Sequence, residues 1–364
     1  MLIDLIAGAR PNFMKIAPII DAIHAVQAEG KQIDYRLIHT GQHYDKKMSG
    51  DFFEQLGIPE PHVNLEAGGG SQAEQTAAIM VRYEKVLFEK KPDLTLVVGD
   101  VTSTMACAIA AQKLHVKVAH VEAGIRSGDW TMPEEINRLV TDSITNYFFT
   151  TTEIANESLR RSGVSNDRIF WVGNTMIDTL LKHRPRFRQP ACWSVLHLQD
   201  KNYFVMTLHR PANVDEPETL RSLMNEIISG SQGLPLVFPV HPRTAKVLEG
   251  LGIAASNLHL IEPLGYLEFN YLVEHAKAVI TDSGGITEET TVMGVPCMTL
   301  RNTTERPETV EIGTNELLGT DPKAVGPALS KLFAGEWKEG DIPPLWDGNT
   351  GKRIVEQLLK LFAA

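Results

Sequence analysis

Cysteine is scarce. Cys107, Cys192 and Cys297 are the only three in 364 residues, far apart and odd in number. They form neither a disulfide framework nor a metal-binding spacing, which fits a reducing, cytoplasmic setting. No apolar run approaches the roughly 18 residues that a membrane span needs. The apolar start, Met1 to Gly8, is short and lacks a basic leader, so it reads as a first buried strand and not as a signal peptide. Positive charge is in deficit: 35 basic against 45 acidic residues give a formal net charge of -10. A nucleic-acid-binding surface is therefore not expected, and an anionic ligand would have to be held by Arg and His placed locally. The glycine run Gly68–Gly70 has no strand close before it and no helix-start lysine after it. It reads as a flexible linker, not a phosphate loop.

What the chain does have is alternation. Its apolar fraction of 43% is ordinary for a globular protein, and its length suits two domains of about 150–200 residues. Residues 2–7, 35–39, 94–98, 116–121, 147–150 and 169–172 read as strands, separated by helical patterns at 13–28, 48–56, 72–89, 103–114, 133–145 and 154–162. A helix to about His183 and a proline-broken stretch, 184–200, follow. The pattern then restarts, with strands at 203–208, 236–239, 258–261, 278–281 and 297–300. Helices are read at 218–228, 244–251, 267–275, 286–293, 322–333 and 352–362. Such alternation predicts parallel sheets covered by helices on both faces. The fold class is thus α/β, with two Rossmann-like domains at 1–172 and 173–350.

In such sheets ligands bind beyond the carboxyl ends of the strands. Polar residues gather at those ends: Arg10, His39 to His43, Asp100, Glu122, His209, His241 and Asp282-Ser283. The set points to a cleft between the two domains. The stretch Asp282-Ser283-Gly284-Gly285-Ile286-Thr287-Glu288-Glu289 joins a strand to a helix through two glycines, which let the backbone approach a ligand closely. A helix start favours an anion, and Glu288 and Glu289 could accept hydrogen bonds from sugar hydroxyls. A plain strand-to-helix turn capped by Ser283 is the simpler alternative. His209-Arg210 and His241-Pro242-Arg243 both set a histidine at a strand end with an arginine close by, which would make a positive pocket beside Ser283. Arg10 and Lys15 are either phosphate contacts or solvated charges. The segment 302–308, with Arg306 before Pro307, suits a loop closing over an anion. Phe269 reads as core by periodicity.

Asp100, Glu122 and Glu134 are three carboxylates of the first half. Acid/base chemistry needs such groups in environments that separate their pKa values. Asp100 could instead cap the helix at 103–114, and Glu134 could simply favour a helix start. Glu122, in Val-Glu-Ala-Gly, has no capping role to explain it. The three with His120 could also suggest a metal, but no ligand spacing supports one.

Taken in order, these blocks resemble the non-hydrolysing UDP-N-acetylglucosamine 2-epimerases over nearly the whole chain. The matching residues are Gly8-Ala9-Arg10-Pro11 with Lys15, Thr40-Gly41-Gln42-His43, Gly99-Asp100, His120 to Arg126 and Pro133 to Arg138. Gly173 to Asp178, His209-Arg210, Asp282 to Gly285 with Glu288-Glu289, and Thr303 to Glu308 continue the series. The resemblance implies a glycosyltransferase-B type architecture, with residues 351–364 as a helix crossing back to the first domain. It implies anti elimination of UDP across C1–C2 to 2-acetamidoglucal and re-addition with the C2 hydrogen on the other face. No cofactor or metal is needed, and a homodimer is expected, with neither nucleic acid nor membrane as a partner. By motif, Asp100, Glu122, Glu134 and His209 fall at catalytic positions. Arg10, Ser283 and Gly284 match diphosphate contacts, Glu289 a ribose contact, Phe269 the uracil-stacking ring and Arg306 a sugar-side contact. Lys15, Arg138, His241 and Gly285 complete the substrate-binding set. The choice of C2 base among the carboxylates stays open.

The chain departs from the family pattern at Pro211-Ala212-Asn213, at Lys46 and at Gly68–Gly70. These positions bear on a second, activating UDP-sugar site and not on the catalytic blocks. Related epimerases act on UDP-diacetamido-uronic acids, and glycosyltransferases share the architecture, so both stand as alternatives. A transferase would need an acceptor groove, and no basic or apolar patch in the first half supplies one.

Overall fold

The computed structural model describes residues 1–41, 55–240 and 242–363. The Gln42-His43 block, Lys46, His241, most of the helix read over 48–56 and the Arg10 side chain lie outside the described residues. Contacts divide the chain into two compact units, 1–182 with 344–364, and 183–343.

The first unit is built on seven strands: β1 (Leu2–Ala7), β2 (Asp34–His39), β3 (Val63–Asn64), β4 (Leu94–Val98), β5 (Lys117–Val121), β6 (Tyr147–Thr150) and β7 (Ile169–Trp171). Their order is β3-β2-β1-β4-β5-β6-β7, and every pair is parallel. β4 is buried at each residue, as a central strand covered on both faces must be, which is why its sequence, Leu-Thr-Leu-Val-Val, is apolar but for Thr95. On one face Ile79, Tyr83 and Val86 of the helix Gln72–Glu89 and the alanines of Thr102–Lys113 pack over Ile6, Val97 and Val118. Ser71 and Glu74 close a reciprocal capping box at the start of the first of these helices.

The second unit repeats the plan with β8 (Phe204–Thr207), β9 (Leu236–Pro239), β10 (Leu258–Ile261), β11 (Ala278–Thr281), β12 (Cys297–Thr299) and β13 (Asn315–Leu317). The order is β10-β9-β8-β11-β12-β13, again all parallel. Phe204, Met206 and Ile280 face one core, with Leu223 and Met224 of the helix Pro217–Gly230. Val205, Val237 and Val279 face the other, with Leu272 and Val273 of Tyr266–His275. In each sheet the strand order turns back on itself once, between β1 and β4 and between β8 and β11.

The α/β class and the two Rossmann-like domains are as the alternation predicts. Some short elements are not. β3 and β13 carry no apolar run and exist through pairing with a preformed neighbour. The short helices Ala191–Val195, Pro211–Val214 and Pro307–Glu311 are too brief to show periodicity. The last corrects the loop read over 302–308: its end is helical from Pro307, and Arg306 is buried. No described helix is long and apolar enough to cross a membrane.

The final helix, Thr350–Leu361, packs on Arg10–Ala28 in the first unit. Gly351 N donates to Asp178 Oδ2 at 2.8 Å and Arg353 Nη1 to Val172 O at 3.0 Å. A Cβ at Gly351 would lie 2.4 Å from Pro18 O and 2.7 Å from Pro18 C, both backbone atoms that cannot swing aside. Gly351→Ala is therefore expected to cost about 2–3 kcal/mol by overpacking. The measurement is a lower urea midpoint at an unchanged slope.

Candidate functional site

In the first unit the strand order reverses where β1 and β4 end. Asn12 ties these ends together: Oδ1 accepts from Gly8 N at 3.1 Å and Ala9 N at 2.9 Å, while Nδ2 donates to Val98 O at 3.1 Å. From sequence, Lys15 groups with Arg10 as a phosphate contact or a solvated charge. The structure gives its ammonium another partner, Glu122 Oε2 at 2.8 Å, with both side chains largely buried. A Cβ on Gly99 would stand 3.1 Å from that ammonium, so the small residue after β4 leaves room for the ion pair. Glu122 itself has φ 68°, a left-handed conformation that costs a non-glycine residue about 1 kcal/mol and tends to persist where geometry is functional.

Asp100 does not cap the following helix. The N-cap of Thr102–Lys113 is Val101, without a side-chain bond. Asp100 instead takes Arg138 Nη2 on Oδ2 at 2.5 Å, and its carbonyl accepts from Asn137 Nδ2 at 2.8 Å. Arg138 also holds Glu135 at 2.7 Å, which in turn accepts from Ser127 N and Gly128 N. Burial pushes the Glu135 carboxyl up, but those backbone donors and Arg138 bring it below the ordinary value. Glu134 sits half-buried in the first turn of the helix Pro133–Ile144. Asp100, Glu122 and Glu134 thus belong to one end of one unit, at the carboxyl edge of β4 and β5. Among the described residues no group of three or more His, Cys, Asp or Glu is placed to hold a metal ion.

In the second unit the reversal falls between β8 and β11, and Asp282 sits at it, fully buried. Its carboxylate accepts from His209 N (3.0 Å), Arg210 N (2.8 Å) and Asn213 Nδ2 (3.1 Å). His209 Nδ1 lies 2.8 Å from Oδ1. Burial raises the Asp282 carboxyl, but the His209 bond and the other donors outweigh it, so it ends below the usual carboxylate range. The effect on His209 is orientation: Nδ1 is committed to Asp282, and the exposed ring keeps Nε2 for other work.

The helix Gly284–Met293 starts here. Ser283 makes no side-chain cap; its N–H donates to Thr281 Oγ1 at 3.0 Å. The capping alternative for Ser283 is therefore not realised, and the half-buried Ser283-Gly284-Gly285 backbone opens the helix. Arg301 Nη2 meets Glu305 Oε2 at 2.6 Å, and a Cβ on Gly284 would stand 3.2 Å from Glu305 Oε1 and 3.6 Å from Arg301 Nη1. One turn into the helix, Glu288 takes Arg306 Nε at 2.7 Å, and Glu289 accepts from Tyr266 OH at 3.0 Å. Phe269 packs half-buried against the Val205 and Leu272 core.

Residues 24–359 match the profile of the family described as UDP-N-acetylglucosamine 2-epimerase. The chain belongs to this family. The UDP-N-acetylglucosamine 2-epimerase of Methanocaldococcus jannaschii is 42% identical over 98% of this chain and 99% of its own. A crystal structure of that organism's enzyme in complex with UDP-GlcNAc and UDP matches with a TM-score of 0.87 at 40% identity, covering 99% of this chain and 100% of the other. The UDP-2,3-diacetamido-2,3-dideoxy-D-glucuronate 2-epimerase of Pseudomonas aeruginosa is 38% identical over 99% of this chain and 100% of its own. As a member of the family, the protein is an isomerase.

Several residues of this epimerase carry the geometry yet do not stand out in sequence. Asp142, Tyr266 and Arg301 are the clearest. One signal is there to be found: Glu135, Arg138 and Asp142 recur at i, i+3 and i+7, a polar stripe on a helix, and all three are buried.

Glu289 gives a pH test. Burial, with Glu288 beside it, pushes its carboxyl up to about 7 from 4.5, although Tyr266 and Asn270 bond to it. The folded protein then keeps a proton that the unfolded chain releases above about 4.5. Stability should fall as pH rises from there through about 7. Glu289→Gln removes the titrating group. It should flatten the unfolding free energy by about 2–3 kcal/mol between roughly pH 5 and pH 8, as read by urea titrations at each pH.

Proposed function

We propose that the epimerase interconverts UDP-N-acetylglucosamine and UDP-N-acetylmannosamine. The observation that carries the reading is the likeness, across 99% of the chain, to an enzyme crystallised with UDP-GlcNAc and UDP. The local geometry supports it. The helix start at Ser283, Gly284 and Gly285 suits a diphosphate, and the family resemblance, not the geometry, adds Arg10 and His241 to it. Glu289 suits the ribose hydroxyls, Phe269 the uracil and Arg306 the sugar side.

The C2 proton is not acidic, so the C1–O bond breaks first, its electron pair leaving with UDP and oxocarbenium character building at C1. The C2–H pair then forms the C1=C2 bond of 2-acetamidoglucal as a carboxylate takes the proton. Return of a proton to the opposite face of C2, with re-addition of UDP at C1, gives the epimer. Donors that stabilise the departing diphosphate lower the barrier most. Asp100, Glu122 and Glu134 serve the two faces and the cation. Lys15 holds the Glu122 carboxylate in place, and Arg138 does the same for Asp100. His209, oriented by Asp282, serves the leaving group. A homodimer is the assembly implied for the family.

A UDP-diacetamido-uronic acid is the second substrate to consider, because an epimerase of that specificity is 38% identical over 99% of the chain. Incubation with each nucleotide sugar in D₂O, followed by NMR, decides. Deuterium should enter C2 of recovered substrate and product with no net release of UDP. Glu122→Gln should slow this by about 10²–10⁴-fold without loss of UDP binding. No exchange with any UDP-N-acetylhexosamine or diacetamido-uronate would overturn the reading.

A further inference from the structure

The helix Pro133–Ile144 buries a polar face, and that face is spent on two loops. His120, fully buried on β5, lies between two acceptors: Asp142 Oδ1 at 2.7 Å from Nδ1 and Gly99 O at 2.8 Å from Nε2. Asp142 Oδ2 accepts from Gly124 N at 3.0 Å and Arg126 Nη1 at 2.7 Å. Burial pushes the Asp142 carboxyl up, and the His120 charge with the Arg126 guanidinium brings it below the ordinary range. Gly99 directly precedes Asp100. Gly124 closes the tight turn that begins at Glu122, with φ 79° and no room for a Cβ beside Ala155 O. The same helix takes the Asp100 carbonyl through Asn137 and its carboxylate through Arg138, and carries Glu134 in its first turn.

We propose that the His120–Asp142 pair is a positioning device that fixes the spacing of the Asp100 and Glu122 carboxylates. The inference rests on the proposed epimerisation. A buried carboxylate held only for stability would bond any nearby donors. Here the bonds of the pair reach the residue before Asp100 and the turn that Glu122 begins. The pair spans from the loop after β4 to the loop after β5, and one helix sets both. A shift of either loop would alter proton delivery to one face of the glucal more than to the other.

The test is Asp142→Asn, which keeps the shape and loses one acceptor, with His120→Gln beside it. Turnover should fall about 10–100-fold, the scale of a misplacement near 1 Å, while KM for the UDP-sugar and Kd for UDP stay within about twofold. The deciding readout is the ratio of deuterium in recovered substrate to deuterium in epimer, which should change by about threefold or more. Loss of folded enzyme would lower both exchanges equally and leave the ratio alone. If Asp142→Asn does not fold, Arg126→Ala, which removes the more solvent-exposed of the donors to Asp142, should shift the ratio in the same direction by less. An unchanged ratio and turnover in the folded variants, with the wild type exchanging normally, would overturn the positioning role and leave the epimerase reading intact. A wild type that exchanges no substrate would overturn that reading and this inference with it.

Discussion

Parallel pairing is the constraint on which the rest depends. In both sheets every strand runs the same way, so each strand ends at the same edge of its sheet. The loops that leave those edges carry Asp100, Glu122, His209 and Asp282. Hydrogen bonding of backbone to backbone thus gathers groups that are far apart in the chain. Where the strand order reverses, adjacent loops part and leave space, and at each reversal a polar side chain helps tie the two ends together. Asn12 does so between β1 and β4, and Asp282 between β8 and β11.

Buried charge is the second theme. Lys15–Glu122, Glu135–Arg138–Asp100 and Arg306–Glu288 all lie largely out of water. Such pairs are weak sources of stability, since the desolvation penalty rivals the attraction. What they supply is place, because each fixes a carboxylate in orientation. Glu289 shows the contrast: buried, bonded to a neutral Tyr266 and set beside Glu288, it is pushed up to about 7.

The long elements are legible because both periods are strong where burial is complete. β4 and β11 are apolar but for Thr95 and Thr281, and Gln72–Glu89 carries its own capping box. β3 and β13, of two and three residues, are not, since nothing local distinguishes them from loop. Among site residues, those at strand ends can be read from their place in the alternation. Asp142 cannot: in sequence it is one more polar residue of an amphipathic helix, and only the arrival of His120 from β5 makes it buried. The partner of Lys15 is hidden too, because which strand end a four-carbon side chain reaches depends on the order of strands in the sheet, which the sequence does not state. Arg306 looks like loop because Pro307 starts a helix too short to announce itself.

The first unit is interrupted: residues 183–343 come between its sheet and its final helix. During synthesis β7 is complete long before Thr350–Leu361 appears, by roughly 10–40 s at about 5–20 residues per second. Until then the helix Arg10–Ala28 lacks the cover that packs against Pro18. Closing the first unit therefore waits on the second, since the helix that covers Pro18 is made only after residues 183–343.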